Sequence, residues 1–110
     1  MGKQIIIYYS EEFIERTDEL LLILYTKNYF AFKEDAQKYV DKIYDFIRNN
    51  ISTYPAKKTP AALSAYGSKY IICKANARTT WYIFFDVNEE KYFVKFITNN
   101  HTELATNFNL

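Results

Sequence analysis

Apolar and polar positions change their period twice along the chain. Ile5, Ile6, Ile7, Tyr8 and Tyr9 form an uninterrupted β-branched and aromatic run, the composition of a short strand. Ser10 follows with Glu11 and Glu12 behind it, a hydroxyl suited to cap a helix and two acids placed at the positive end of its dipole. Phe13, Ile14, Leu20, Leu21, Leu24 and Tyr25 then recur at steps of three, four and seven, which predicts a helix to about Lys27. Asn28 and Tyr29 read as a break. From Phe32, the positions Phe32, Ala36, Tyr39, Val40, Ile43, Phe46 and Ile47 repeat at three- and four-residue steps with charges between them, the clearest helix in the sequence. So short a connection predicts an antiparallel helical hairpin that buries both stripes against a shared partner.

Between Ser52 and Ser68 the periodicity disappears, and Pro55, Pro60, Gly67 and the pair Lys57-Lys58 predict a basic surface loop. Beyond it the period becomes two. Lys69 to Lys74, Thr79 to Val87 and Lys91 to Thr98 are strand-like, with Asn88-Glu89-Glu90 short enough to join the last two as a hairpin. In the middle strand Trp81, Ile83, Phe85 and Val87 share one face, and Thr80, Tyr82, Phe84 and Asp86 the other. The Trp81 set is expected to cover the helices, leaving the opposite face and its rim to act. The expectation is a single α+β domain over residues 1–110: an N-terminal strand, a helical hairpin and a three-stranded antiparallel meander in one sheet.

Composition sharpens this picture in three ways. Aromatic residues make up 19% of the 110 positions, mostly Tyr and Phe, which suits strands and binding faces. Two glycines cannot build a phosphate-binding loop, so P-loop and dinucleotide chemistry drop out. The net charge of +1 hides an asymmetry: seven basic against nine acidic residues up to Ile51, and seven against four from Ser52 onward. The C-terminal half is therefore the face to expect for an anionic partner. Cys73 is the only cysteine, in the apolar run Tyr70-Ile71-Ile72-Cys73, and so cannot form an intrachain disulfide. A reducing, cytoplasmic setting fits, and no run approaches the length of a membrane span.

The order of strand, two helices, basic loop and meander resembles the RelE/ParE superfamily of bacterial toxin–antitoxin modules. The phrases Arg78-Thr79-Thr80-Trp81-Tyr82-Ile83-Phe84-Phe85 and Tyr92-Phe93-Val94-Lys95-Phe96-Ile97-Thr98-Asn99-Asn100-His101 look like the central and last strands of RelE-like chains. The resemblance implies either a metal-independent endoribonuclease (an mRNA interferase) acting on message at the ribosome, or a ParE-like inhibitor that poisons DNA gyrase by protein contact. An inert member kept as a partner-binding module is the third reading. The first two imply a cognate antitoxin protein as partner. Two positions depart from the commoner nuclease pattern. Tyr82 follows Trp81 where an Arg is frequent, and His101 stands near the end of the last strand where an Arg is frequent.

Metal-free RNA cleavage needs the 2′-hydroxyl deprotonated, the phosphorane charge stabilised and the leaving 5′-oxygen protonated. Arg78 suits the phosphate, since a guanidinium grips it bidentately, with Lys69, Lys74 and Lys95 adding positive potential. The bland alternative is a surface ion pair. His101, the sole histidine, is the side-chain type that exchanges protons near neutral pH, or else an exposed terminal residue. Tyr82 is suited to stack on a base or donate a proton, or simply to pack. Asn99 and Asn100 are suited to hold a phosphate or a base edge, or to form a turn. No metal or other cofactor is expected, one His and one Cys being too few ligands.

Overall fold

A computed structural model of the chain describes residues 4–26, 33–75 and 77–101. The expected break at Asn28-Tyr29, and Phe32, lie outside them. Strand β1 (Ile6–Tyr9) leads into helices α1 (Glu11–Thr26) and α2 (Lys33–Asn50). A two-residue strand β2 (Lys57–Lys58), a 3₁₀ helix (Ala61–Tyr66) and strands β3 (Lys69–Lys74), β4 (Thr80–Asn88) and β5 (Lys91–Asn99) complete the order.

Two expectations about the sheet are corrected. It has five strands rather than four, in the order β1-β5-β4-β3-β2, because Lys57 and Lys58, read as loop, pair antiparallel with Tyr70 and Lys69. It is also mixed: β1 runs parallel to β5, from Ile6 opposite Lys91 to Tyr9 opposite Val94.

The join between β1 and α1 shows why the chain turns where it does. The Ser10 Oγ caps the helix by accepting from the Phe13 N–H at 3.0 Å, and itself donates to the Lys95 carbonyl at 2.8 Å. The Ser10 N–H donates to the Val94 carbonyl at 2.9 Å. Across β4 the register slips at this same level: Phe84 faces Phe96 while Phe85 faces Val94, so Lys95 is the extra residue of a bulge. One serine thus starts the helix and satisfies the backbone that the bulge would orphan.

The helices cover the Trp81 face. Phe13, Ile43, Ile47, Ile51, Ile71, Trp81, Ile83, Phe85, Val94 and Ile97 form one buried cluster. Early in α1, Phe13 and Thr17 meet Tyr44 late in α2, the rings edge-on at 5.6 Å and the hydroxyls of Thr17 and Tyr44 2.7 Å apart. The Trp81 indole N–H donates to the Tyr39 hydroxyl at 3.1 Å, tying β4 to α2.

The opposite face is closed over its centre, contrary to expectation, while towards β1 the stacked rings of Tyr8 and Phe93 on that same face stay exposed. Leu63 of the 3₁₀ helix is buried with Tyr70, Tyr82, Phe84 and Phe96 in a second cluster, and the Tyr66 ring stacks on Phe96 with centroids 4.1 Å apart. Gly67 makes this lid possible. At φ 147° a side chain is strained, and a Cβ there would stand 2.8 Å from the Phe85 backbone nitrogen. The lid therefore rests directly on the β4 backbone. Among the described residues no helix is long and apolar enough to cross a membrane.

Candidate functional site

With the centre of both sheet faces covered, the expected chemistry-bearing side chains that stay exposed together are those on the rim where β3 and β4 turn and β5 ends. Asn100 organises that rim. Its N–H donates to the Thr80 carbonyl at 3.1 Å, its Oδ1 accepts from the Thr80 N–H at 2.9 Å, and its Nδ2 donates to the Arg78 carbonyl at 2.9 Å. One side chain thus locks the segment from Arg78 to Thr80 against the end of β5. The Ala75 N–H to Thr79 carbonyl bond, 3.0 Å, closes the turn on its other side.

Immediately after Asn100, the His101 N–H donates to the Asn99 Oδ1 at 2.9 Å, and its Nε2 lies 3.3 Å from the Thr79 hydroxyl. Arg78 and His101, distant in sequence, therefore emerge exposed on one rim, both tied to Asn100 through the backbone. Lys74 joins them, exposed at the end of β3 opposite Thr80. A guanidinium and an ammonium are side-chain types that hold phosphate, and an imidazole is one that transfers protons.

The other expected residues are placed differently. Tyr82 is 1% exposed, in the second core cluster between Ile72 and Thr98 on the neighbouring strands. So buried, it is a packing residue with no open ring face for a base, and burial and the nearby Tyr70 push its hydroxyl above the ordinary tyrosine value. Asn99 and Asn100 hold backbone of the rim rather than standing free for a ligand. Lys69 starts β3 opposite Phe85, five residues from Lys74 or about 16 Å along the strand. Lys95 sits at the bulge, its Nζ 3.2 Å from the Asp86 Oδ2. Asp86 loses some ionisation to burial, but the Ser68 N–H at 2.8 Å and Lys95 outweigh that and hold its carboxyl below the usual aspartate value. Lys69 and Lys95 thus belong to the far end of the sheet. Among the described residues no group of three or more His, Cys, Asp or Glu side chains could hold a metal ion.

No family model, curated protein or solved structure matches the chain. The site has therefore to be read from its own geometry.

Two residues not singled out from the sequence help to build it. Thr79 gives His101 its hydroxyl neighbour, a pairing legible only once β4 and β5 are in register. Arg16 of α1 reaches β5 beyond the end of β1, donating its Nε–H to the Ile97 carbonyl at 2.7 Å and setting its guanidinium 4.2 Å from the Phe96 ring centre. It closes an edge that β1 is too short to pair, and adds a cation–π contact. Its place on a charged stripe of α1 gave the only available signal.

Proposed function

We propose that this chain is the RelE-like toxin of a bacterial toxin–antitoxin module, binding message at the ribosome and cleaving it without a metal. The observation that carries the reading is the Asn100 clamp, which sets Arg78 and His101 on one exposed rim. Arg78 holds the non-bridging oxygens of the scissile phosphate, and Lys74 adds positive potential. The P–O2′ bond forms as the P–O5′ bond breaks, leaving a 2′,3′-cyclic phosphate and a 5′-hydroxyl. The 2′-hydroxyl proton is lost and the leaving oxygen gains one, and His101 carries one of these two transfers.

An antitoxin segment bound over the rim would silence the chain by covering Arg78 and His101. Induced expression without the antitoxin is expected to arrest growth, and Arg78→Ala to relieve the arrest. In a purified assay on ribosome-bound message, Arg78→Ala is expected to slow cleavage by about 100-fold or more, the scale of losing one preorganised charge-stabilising group. Wild-type rates for Arg78→Ala would overturn the reading. So would a chain that leaves RNA intact but stops purified gyrase from supercoiling DNA.

A further inference from the structure

Strand β2 pairs with Lys69 and Tyr70, so among the described residues the remainder of β3 has no strand beside it on that edge. Along this edge lies a cleft of about 700 Å³ lined by Phe46, Tyr54, Pro55, Lys57, Ile72 and Lys74. That volume is in the range of small-molecule sites. Its walls come from three places: the last turns of α2, the turn that follows, and the β2–β3 pair.

The aromatic wall is pre-set. The Tyr54 N–H donates to the Asn50 carbonyl at 2.7 Å, and the Asn50 side chain donates back to the Phe46 carbonyl at 2.8 Å. The Tyr54 ring meets Phe46 edge-on at 5.5 Å, yet the residue stays 43% exposed. A ring held by its backbone and propped by a second ring, with much of its surface open, is a stacking platform.

The polar wall is cationic. Lys57 stands opposite Tyr70, and Tyr70, Ile72 and Lys74 alternate onto the same side of β3. Among the described residues no carboxylate lines the cleft and neither ammonium has a carboxylate partner. Asp45, the chain neighbour of Phe46, is engaged by Arg48. A planar group beside two unneutralised lysines calls for a planar anion.

Lys74 is shared with the rim, since it faces Thr80, the residue clamped by Asn100. We infer that the cleft is a nucleotide subsite for single-stranded RNA, the base stacking on Tyr54 and its phosphate lying between Lys57 and Lys74. The strand then continues past Lys74 to the rim of Arg78 and His101. The choice of a nucleotide rests on the RNA-cleaving reading; the cationic, aromatic cleft does not.

The test is calorimetric titration of the whole chain with a 2′-deoxy trinucleotide, which binds without being cleaved, and with 5′-AMP, adenosine and inorganic phosphate. The trinucleotide is expected to bind more tightly than 5′-AMP, and adenosine and phosphate more weakly than either. Tyr54→Leu should weaken trinucleotide binding at least about fivefold, the low end of one base–aromatic stack. Lys57→Gln should weaken it and flatten its salt dependence. Both side chains are exposed, and unchanged circular dichroism would confirm folding. Trinucleotide affinity unchanged in both variants overturns the subsite, as does 5′-AMP binding as tightly as the trinucleotide. The two readings fail separately: binding weakened in these variants while Arg78→Ala leaves cleavage untouched, or while no cleavage is found at all, sinks the rim as a cleavage site and keeps the subsite, whereas Arg78-dependent cleavage with unchanged binding does the reverse.

Discussion

The two faces at the centre of the sheet are closed by very different amounts of structure. Two long helices cover the Trp81 face, whereas a six-residue 3₁₀ helix covers Tyr82, Phe84 and Phe96 on the other. Yet Ile83 and Phe84, adjacent on β4 and pointing opposite ways, are both fully buried. A short lid suffices because the face beneath it is aromatic: Tyr66, Tyr70, Phe84 and Phe96 supply much of the covering surface themselves, with neighbouring ring centres 4.1 to 6.1 Å apart. The centre of neither face is therefore open, and the proposed acting groups lie at the rim.

The strongest way to break this comparison is to cut a ring from the thinly covered face. Phe84→Ala is expected to cost about 3–5 kcal/mol in denaturant unfolding, as a core phenylalanine does. A loss below about 1 kcal/mol would mean that the lid does not make a core. Gly67→Ala tests the lid itself. It forces a Cβ against the Phe85 backbone at a positive φ, and a cost on the order of 1–3 kcal/mol is expected. Unchanged stability would show that the lid does not rest where it is placed.

The sheet and its occupants were unequally legible. Alternation along β4 assigned Trp81 and Tyr82 to opposite faces, as the structure has them, because period two follows from backbone geometry alone. It could not say what covers a face. Proline aside, Leu63 is the only aliphatic residue larger than Ala between Ser52 and Ser68, and with only Tyr66 beside it no repeating stripe marks the lid, which made Tyr82 look accessible. The parallel partner of β1 was equally hidden: Tyr9 and Val94 meet across most of the chain, with no local signal. Lysines were collected by charge, but strand register puts Lys74 at one end and Lys69 and Lys95 at the other. Asn100 was read as either ligand or turn, and its three bonds to Thr80 and Arg78 make it the residue that builds the rim.

Asn100→Ala sharpens the contrast between rim and faces. It is expected to cost about 1 kcal/mol in stability, the scale of a lost cap-like bond, while slowing cleavage as Arg78 and His101 drift apart. A variant that keeps full cleavage would remove Asn100 from the account. The smallest effect concerns Asp86, whose lowered pKa means that its ionised form stabilises the fold. That contribution is whole above the ordinary aspartate value of about 4 and is lost as pH falls through the lowered one. Asp86→Asn should therefore be slightly less stable at neutral pH and lose less stability than wild type on acidification. Parallel acid titrations of the two proteins check this.

Whether the rim acts and the buried centre of the sheet does not is decided in one cleavage assay on ribosome-bound message with His101→Ala and Tyr82→Phe side by side. His101→Ala should slow cleavage by about 100-fold or more, the scale of a lost proton-transfer group. Tyr82→Phe, which removes a hydroxyl and keeps the buried ring, should cleave at the wild-type rate. The reverse result, with Tyr82→Phe inactive and His101→Ala unimpaired, would contradict the account.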